Sequence, residues 1–416
     1  MEKEYLRWQS EGVKEALKSH PIVVVSGARQ TGKTTLLRQI ITDESNQLAG
    51  DYRSLDDKDM LDFARSDPKG FVMKNTETMV IDEIQKAPKL IPEIKQVVDK
   101  DNRPGQYLLI SSVNILTLPS ISDSLTGCAK YMRLRPLTVG EICGKKPSFL
   151  KQAFDKDFPN KIEGCNKADI IALAFRGGYP EAVAIDNPQR RKSWHTDYLP
   201  AIIKRDLKDI ANIRRLDILQ KLFVMLASLS AKFMEATQVS AALSINKTTL
   251  DNYMNTLISM FIYEKAAPWL NTDYGRIGKR AKFFVTDSGI MASVLGWNPK
   301  DVGMNTDRSG SLIETFVFQE LAALVDLENK YTLSQYRDRL DKEIDFLVER
   351  DDGALLGIEV KAGRNISKDD FKPQKWFEEH ILKNEKPYTG IIVYSGDTTI
   401  QFEKNKLAVP TAALWT

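Results

Sequence analysis

The sequence predicts an α/β protein with three successive parts, and three local patterns indicate this fold class. Near residue 27, a strand, a glycine-rich loop and a helix follow one another. A helix-turn-helix pattern with two further strands begins at residue 237, and a helix and a β-hairpin occupy the last part of the chain. We therefore expect an α/β domain around the loop over residues 1–150, a helical lid and winged-helix region over 151–300, and a second α/β domain over 301–416.

Length and composition agree with a multidomain protein in water. The chain has 416 residues, whereas one domain usually has about 100 to 200. Its 42% hydrophobic content is too high for a disordered chain. The longest apolar runs, such as residues 22–25, are far shorter than the ~20 residues of a membrane helix, and residues 1–4 lack the apolar segment of a signal peptide. We expect a cytoplasmic protein with no membrane partner.

Cysteine spacing and net charge exclude other classes. The three cysteines have no C-x-x-C spacing, which argues against a disulfide framework and against a thiolate metal site. A net charge of +3 does not require a polyanionic partner. The chain has only three histidines and no G-x-S-x-G string, so a serine hydrolase is not expected.

The glycine-rich loop predicts a phosphate-binding site. Gly27, Gly32, Lys33 and Thr34 satisfy the pattern G-x-x-x-x-G-K-[ST] between a β-branched run and an apolar helix. Such a loop directs backbone N–H groups at phosphates, and the helix start adds its positive dipole end. Lys33 is expected to reach the β- and γ-phosphates of ATP, and Thr34 to bind Mg²⁺. The predicted nucleotide-binding residues are Gly27, Ala28, Arg29, Gln30, Thr31, Gly32, Lys33, Thr34 and Thr35.

Two further strands end in polar residues that complete this site. An apolar run ends in Asp82 and Glu83, which we expect to hold Mg²⁺ through water and to orient the attacking water, respectively. The strand over residues 107–110 is followed by Ser112, our candidate γ-phosphate sensor, with Asn114 in reserve. The alternative is an ordinary polar turn at this strand end.

These strings resemble a large bacterial and archaeal family of AAA-type ATPases with a C-terminal domain of unknown function. The resemblance rests on the P-loop, on the Asp-Glu-Ile-Gln string from residue 82, on Leu-Arg-Pro-Leu-Thr from 134 and on Gly-Gly-Tyr-Pro-Glu from 177. It implies an AAA-like core that binds ATP and Mg²⁺, with Lys33, Glu83 and Ser112 catalytic, and a nuclease-like C-terminal fold. The family usually has an arginine where this chain has Cys128, and we consider Arg133 or Arg135 as its replacement.

The middle of the chain predicts a winged helix. Helices are expected over residues 237–243 and 247–260, and strands over 261–270 and 281–286. The second helix has few groups that read bases, but the hairpin between the strands is basic, which favours nonspecific nucleic-acid contact. An intramolecular packing module is the alternative. The basic residues of the hairpin are Arg276, Lys279, Arg280 and Lys282.

The C-terminal hairpin carries a second group of chemically active residues. Glu359 and Lys361 share one face of a strand, and a paired strand can place Asp345 beside Glu359. The pattern resembles the PD-(D/E)xK nuclease core, in which Asp345, Glu359 and Lys361 take the metal and catalytic positions and Glu314 the helical acid. The predicted metal ligands of the whole chain are Thr34, Asp82, Glu314, Asp345 and Glu359. The alternative is a surface hairpin with an ordinary Glu–Lys pair.

From these observations we expect a protein that binds and hydrolyses ATP and couples its nucleotide state to the C-terminal half. One alternative is an ATP-gated, metal-dependent nuclease. Another is a scaffold that binds ATP without hydrolysis and binds nucleic acid or a protein, because Cys128 removes a cation. A nonspecific nucleic acid or a protein client is the expected partner, and an oligomer remains open.

Overall fold

The computed structural model describes residues 4–41, 50–73, 77–117, 125, 127–210, 215–269, 281–338 and 342–416. Within them the α/β class with a parallel sheet is confirmed, and two smaller or mixed sheets follow it along the chain. None of the helices in these ranges combines the length and the apolar character needed to cross a membrane.

The N-terminal part is a five-stranded parallel sheet with the strand order β2-β3-β4-β1-β5. Its strands are β1 Ile22–Ser26, β2 Gly50–Ser54, β3 Thr78–Asp82, β4 Tyr107–Ser111 and β5 Ala129–Arg133. Its helices are α1 Gln9–Ser19, α2 Lys33–Ile41, α3 Lys58–Ser66, α4 Pro68–Val72 and α5 Leu90–Lys100. The central strands are apolar because both faces are covered, each by its own apolar cluster. The carboxyl ends of β1, β4 and β3 therefore lie side by side at one edge, where ligands bind in such sheets.

The middle part is helical, with one small antiparallel sheet in the order β6-β8-β7. Its helices are α6 Val139–Ile142, α7 Phe149–Asp155, α8 Lys167–Arg176, α9 Pro180–Ala184, α10 Pro188–Ile210, α11 Leu216–Ser228, α12 Ala236–Ala242, α13 Lys247–Ser259, α14 Ser288–Val294 and α15 Pro299–Met304. Its strands are β6 Lys232–Phe233, β7 Tyr263–Ala266 and β8 Lys282–Val285. The strands are shorter than expected. The predicted basic residues Arg276, Lys279 and Arg280 lie outside the described residues.

The C-terminal part is a six-stranded mixed sheet in the order β13-β14-β12-β11-β10-β9, with one long helix. Strands β11, β12 and β14 are parallel, and the outer pairings are antiparallel. Its helices are α16 Thr306–Val325 and α17 Lys372–Trp376, and its strands are β9 Tyr331–Arg337, β10 Glu343–Arg350, β11 Leu355–Lys361, β12 Tyr388–Tyr394, β13 Ile400–Glu403 and β14 Lys406–Pro410. Short 3₁₀ or π turns occur at Ile84–Lys86, Ile115–Thr117, Lys368–Phe371, Phe377–Ile381 and Thr411–Trp415.

The middle and C-terminal parts are built around one shared core. A single apolar cluster includes Phe149 and Phe223 from the middle helices, Phe318 from α16 and Trp415 near the C-terminus. Phe284 of β8 stacks on Phe318, with ring centroids 4.2 Å apart. The two parts thus pack as one body, and the expected boundary near residue 300 remains a prediction.

Candidate functional site

The predicted phosphate loop lies between β1 and α2 and closes around a lysine. A Cβ atom on Gly27 would lie 2.1 Å from the carbonyl oxygen of Leu134, and Gly32 has a φ of +90°. Only glycine fits both positions, because one has no room for a side chain and the other has a left-handed backbone. Lys33 is 6% exposed, and its Nζ donates to the carbonyl oxygens of Gly27 and Ala28 at 2.8 Å each. The loop is therefore a cradle with an ammonium group inside it.

The two predicted ligands of the nucleotide's Mg²⁺ meet directly. Thr34 Oγ1 donates to Asp82 Oδ2 at 3.2 Å, which joins the start of α2 to the end of β3. Tyr52 on β2 donates to the same oxygen at 2.8 Å. Burial raises the pKa of Asp82, and the hydrogen bond from Tyr52 opposes that shift. Hydroxyl and carboxylate oxygens are suited to Mg²⁺, so this pair fits the ion that accompanies a nucleotide.

Glu83 is held by three other side chains at the same edge of the sheet. Its backbone is left-handed, with a φ of 59°. Ser112 Oγ donates to Oε2 at 2.8 Å, and the amide of Gln85 donates to the same oxygen. Arg29 from the cradle forms an ion pair with Oε1 at 3.3 Å. The structure thus brings together Glu83 and Ser112, and it adds Arg29 and Gln85 to them.

Other predicted residues lie elsewhere. The side-chain oxygen of Asn114 accepts from the N–H of Leu116, so the reserve sensor does not join Glu83. Thr35 is exposed on the first turn of α2. Gln30 donates to Glu181 at 3.2 Å, which ties the cradle to α9. Cys128 is buried, and its thiol donates to the carbonyl oxygen of Leu125.

The suggestion that Arg133 or Arg135 replaces a missing phosphate-binding arginine is wrong for this conformation. Arg133 pairs with Glu264 at 2.8 Å, and Arg135 donates to both oxygens of Glu264 and to Asp326 at 2.6 Å. The reason is electrostatic: the side chain of Glu264 is only 20% exposed, and a carboxylate largely removed from water requires a cation. Despite burial, the two arginines hold the pKa of Glu264 well below its usual range.

A chain of contacts joins the cradle to the rest of the molecule. Arg7 Nη1 donates to the carbonyl oxygen of Thr31 at 2.6 Å, and Arg7 Nη2 donates to that of Arg135 at 2.6 Å. Arg135 in turn reaches β7 through Glu264 and the end of α16 through Asp326. These contacts therefore connect the cradle with both later parts of the chain.

The Gly-Gly-Tyr-Pro segment makes a tight reversal. Gly177 has a φ of +67°, and a Cβ on it would lie 2.5 Å from Asp287. The N–H of Gly178 donates to Asp287, and its carbonyl oxygen accepts from Leu137, both at 2.7 Å. Tyr198 on α10 donates to the carbonyl oxygen of Arg29 at 2.9 Å. Tyr198 thus joins helix α10 to the cradle.

The predicted C-terminal residues form an acidic cluster around a lysine that belongs to the middle part. Lys282 on β8 is 2% exposed. Its Nζ lies 2.6 Å from Glu343 and 3.4 Å from Asp345, and it also contacts Glu314. Glu359 lies close to the carboxyl group of Asp345. The expectation that Lys282 belongs to a phosphate-binding hairpin is therefore wrong, because Lys282 is buried and three carboxyl groups contact it.

Burial and crowding govern the charges of this cluster. Burial alone would lower the pKa of Lys282, but Glu314, Asp345 and Glu343 outweigh it and raise the pKa. Burial raises the pKa of Glu314 and of Glu359, and the nearby charge of Asp345 raises both further. One ammonium faces several carboxyl groups, so we infer that Lys282 is charged while some of the acids retain protons.

The sequence predicts that Lys361 belongs to this cluster, but its side chain contacts Asp370 instead. Its Nζ lies 3.5 Å from Asp370, and the side chain is 44% exposed. In the ranges that the structure describes, no three His, Cys, Asp or Glu side chains are arranged to hold a metal ion. The C-terminal residues therefore do not fit a metal in this conformation. Sequence reasoning missed Glu343 and the location of Lys282, because no local pattern indicates that β8 docks on β10.

Three family models match successive parts of the chain. An AAA domain matches residues 19–143, a domain of unknown function (DUF8612) matches 167–301, and another (DUF4143) matches 309–414. The chain therefore combines an AAA domain with a C-terminal domain of unknown function. The AAA match contains the cradle, Asp82, Glu83 and Ser112, so the site lies within this AAA domain.

Related proteins of this AAA-domain family occur in bacteria and archaea. The chain is 25% identical over 353 residues to an uncharacterized protein of Mycobacterium tuberculosis, with 84% of this chain and 72% of that protein covered. A protein of Methanocaldococcus jannaschii is 24% identical over 357 residues, covering 81% and 74% of the two chains.

Two solved structures are also similar in part to this AAA-domain protein. One is Cdc6p from Pyrobaculum aerophilum, 14% identical, with 74% of this chain and 93% of that chain covered and a TM-score of 0.25. The other is a STAND ATPase with a tetratricopeptide repeat sensor from Pyrococcus horikoshii, 12% identical, with 78% and 48% covered and a TM-score of 0.21. Scores this low do not establish a common overall fold.

Proposed function

We propose that this AAA-domain protein binds ATP with Mg²⁺ in the cradle and hydrolyses it. The observation that carries the proposal is the contact of Thr34 with Asp82 directly beside the cradle that holds Lys33. The cradle's amides and the ammonium of Lys33 would bind the phosphates. Thr34 and Asp82 would hold the metal, which supplies charge compensation for phosphoryl transfer.

Glu83 is the residue that we assign to water activation. Its carboxylate is bound by Ser112, Gln85 and Arg29 at the edge of the sheet next to the cradle. These three contacts fix the position of the carboxylate, and the positive charge of Arg29 partly neutralises it. We infer that nucleotide binding changes the contact with Arg29, since this arginine belongs to the cradle, and so releases Glu83 to accept a proton from water.

The experiment that tests this function compares the wild type with Glu83→Gln. We expect both proteins to bind a fluorescent ATP analogue, and the variant to release phosphate at least about 100-fold more slowly. The matched control is Glu15→Gln, a change on the exposed face of α1 that should leave turnover unaltered. Equal phosphate release by the wild type and the Glu83 variant would reject the assignment. Binding without any release by the wild type would favour the non-hydrolysing scaffold.

We further propose that the nucleotide state is coupled to the later parts of the chain through Arg7 and Arg135. Their contacts run from Thr31 in the cradle to Glu264 on β7 and Asp326 at the end of α16. In this proposal the winged helix consists of α12, α13, β6, β7 and β8. The backbone N–H of Asn114 donates to the carbonyl oxygen of Ser259 at the end of α13. An Arg7→Met variant should keep ATP binding but weaken any response of turnover to the client.

The client of this proposal is nonspecific nucleic acid or a protein. Turnover measured with and without added DNA or RNA separates the two, since stimulation by either would identify the partner class. The remaining alternative is an ATP-gated nuclease, favoured by the proximity of Glu314, Asp345 and Glu359. It predicts cleavage of plasmid or RNA with Mg²⁺ or Mn²⁺ that is lost in Asp345→Asn. A lack of such cleavage would dismiss it.

A further inference from the structure

The cation of the C-terminal acidic cluster comes from a different part of the chain. Lys282 opens β8 of the small antiparallel sheet, whereas its partners belong to α16 and β10. Lys282 and Asp345 are 63 residues apart in sequence. The ammonium of Lys282 is almost completely buried, and the acids that it neutralises have side chains that are 15% to 29% exposed. The cluster is therefore completed only when β8 is docked on the C-terminal part.

The acids around this lysine converge on its ammonium group. Asp345 turns one oxygen toward Lys282 and accepts with the other from the N–H of Val360 at 2.9 Å, which fixes its orientation. Glu359 lies against Asp345, and its Oε1 is buried with no hydrogen-bond partner among the described residues. Convergent carboxylate oxygens are the ligands of hard divalent cations. An ammonium with three N–H donors can satisfy the same oxygens.

The number of acids separates this arrangement from an ordinary ion pair between two packed parts. A buried pair needs one carboxylate for one ammonium, as with Lys406 on β14 and Glu378 in the turn Phe377–Ile381. Here one ammonium faces Glu314, Glu343 and Asp345, with Glu359 behind them. More carboxyl groups lie here than one ammonium needs, and their burial costs free energy whether they are charged or protonated. A cluster with more carboxyl groups than one ammonium requires is suited to a cation of higher charge, such as a divalent metal ion.

We propose that Lys282 is a built-in cation that occupies the metal position of the acidic cluster, so that the C-terminal site excludes a divalent ion while β8 is docked and accepts one when the ammonium is removed. The inference uses the location of the alternative nuclease site but requires no cleavage. It makes the middle part an internal inhibitor of the C-terminal site. A client that pulled β8 away would then permit metal binding.

The test is binding of Mn²⁺ to the full-length chain in the absence of nucleotide, followed by the loss of the free-ion electron paramagnetic resonance signal. We expect Lys282→Met to gain one Mn²⁺ per chain, with an affinity on the order of 100-fold above that of the wild type. The double variant Lys282→Met with Asp345→Asn should lose this gain. Lys282→Arg, which retains a cation, should behave as the wild type does.

The matched control is Lys406→Met. Lys406 on β14 of the same sheet is also almost fully buried and is paired with one acid, Glu378, so its removal perturbs packing without vacating an acidic cluster. We expect it to bind Mn²⁺ no better than the wild type does. A gain in Lys406→Met equal to that in Lys282→Met would overturn the proposal, because general loosening would then explain the binding.

Two other results would also overturn it. One is Asp345-dependent binding of Mn²⁺ by the wild type with the affinity of the variant, since Lys282 would then exclude nothing. The other is a Lys282→Met protein that binds no Mn²⁺. Should this variant unfold without metal, near-ultraviolet circular dichroism provides the readout: Mn²⁺ must restore the native signal, and failure to do so counts against the proposal. Mn²⁺ binding without any nuclease activity would reject only the nuclease alternative.

Discussion

Two buried lysines differ in what they contact, and the difference indicates what each one does. Lys33 donates to neutral carbonyl oxygens of the loop that surrounds it. Lys282 lies among the carboxyl groups of Glu314, Glu343 and Asp345. An anion can compete for an ammonium on carbonyl oxygens, because these are weak partners compared with phosphate oxygens. An ammonium among carboxylates is itself the counterion of its site.

The two sites also differ in whether their residues come from one segment or from distant parts of the chain. The cradle and its lysine come from one short segment between β1 and α2, whereas the acidic cluster needs β8, α16, β10 and β11 to meet. The first site can therefore keep its shape while other parts move. The second changes its charge whenever β8 changes position. Four measurements test this contrast between the two sites.

The largest expected effect is the loss of stability in Lys282→Met. Removing the ammonium leaves several carboxyl groups buried without their cation, which costs about 3–5 kcal/mol. The midpoint of urea unfolding, followed by tryptophan fluorescence in the presence of a chelator, should fall accordingly. Lys406→Met is the control, because it leaves only Glu378 without its partner. A loss no larger in Lys282→Met than in this control would break the contrast.

Next in size is the effect of Lys33→Met on ATP turnover. Without the ammonium, the negative charge that develops on the transferred phosphoryl group is not compensated in the cradle. Turnover should fall about 10²- to 10³-fold, while the unfolding midpoint changes much less than in Lys282→Met. Phosphate release at saturating ATP and Mg²⁺ measures this. Wild-type turnover in the variant would refute the assignment of the cradle.

A buried acid with no ammonium partner gives a third, smaller effect. Both oxygens of Glu320 on α16 accept from the N–H of Val139 at 3.2 Å, and burial raises its pKa to about 8. Between the unfolded-state pKa of about 4.3 and this value, the folded protein holds a proton that the unfolded chain has lost. Stability should therefore fall as the pH rises across this interval, by at most about 1.4 kcal/mol per pH unit.

Glu320→Gln should remove this part of the pH dependence, because the amide cannot ionise and its oxygen can still accept from Val139. The measurement is the difference between wild-type and variant unfolding midpoints from pH 5 to pH 8. The variant should gain relative stability as the pH rises. Parallel pH profiles for the two proteins would contradict a raised pKa at Glu320.

The smallest effect is expected for Lys18→Met. Its side chain is 67% exposed and pairs with Glu15 on the same helix at 2.7 Å. Exposed pairs contribute little, so the free energy of unfolding should change by no more than about 0.5 kcal/mol. Calorimetry of both proteins provides the check. A change comparable to that of Lys282→Met would show that burial does not distinguish these lysines.

Much of the N-terminal site could be predicted because it is encoded locally. The spacing from Gly27 to Thr34 identifies the cradle, and an acid pair after an apolar run identifies Asp82 and Glu83. Tyr52 could not be predicted in the same way, since its contact with Asp82 depends on β2 lying next to β3. Arg29 was named as a nucleotide-binding residue, but its pairing with Glu83 depends on how the loop closes.

The fold class, the glycine-rich loop and the carboxylates of the C-terminal hairpin could be predicted from the sequence, because they follow from periodicity and from spacing within single elements. Only the tertiary structure decided which cation each site holds. In the folded chain, Lys282 lies among the acids, Lys361 pairs with Asp370 and Arg135 pairs with Glu264. The reason is physical: a buried charge takes the partner that docking brings within a few ångströms, and sequence spacing does not fix docking.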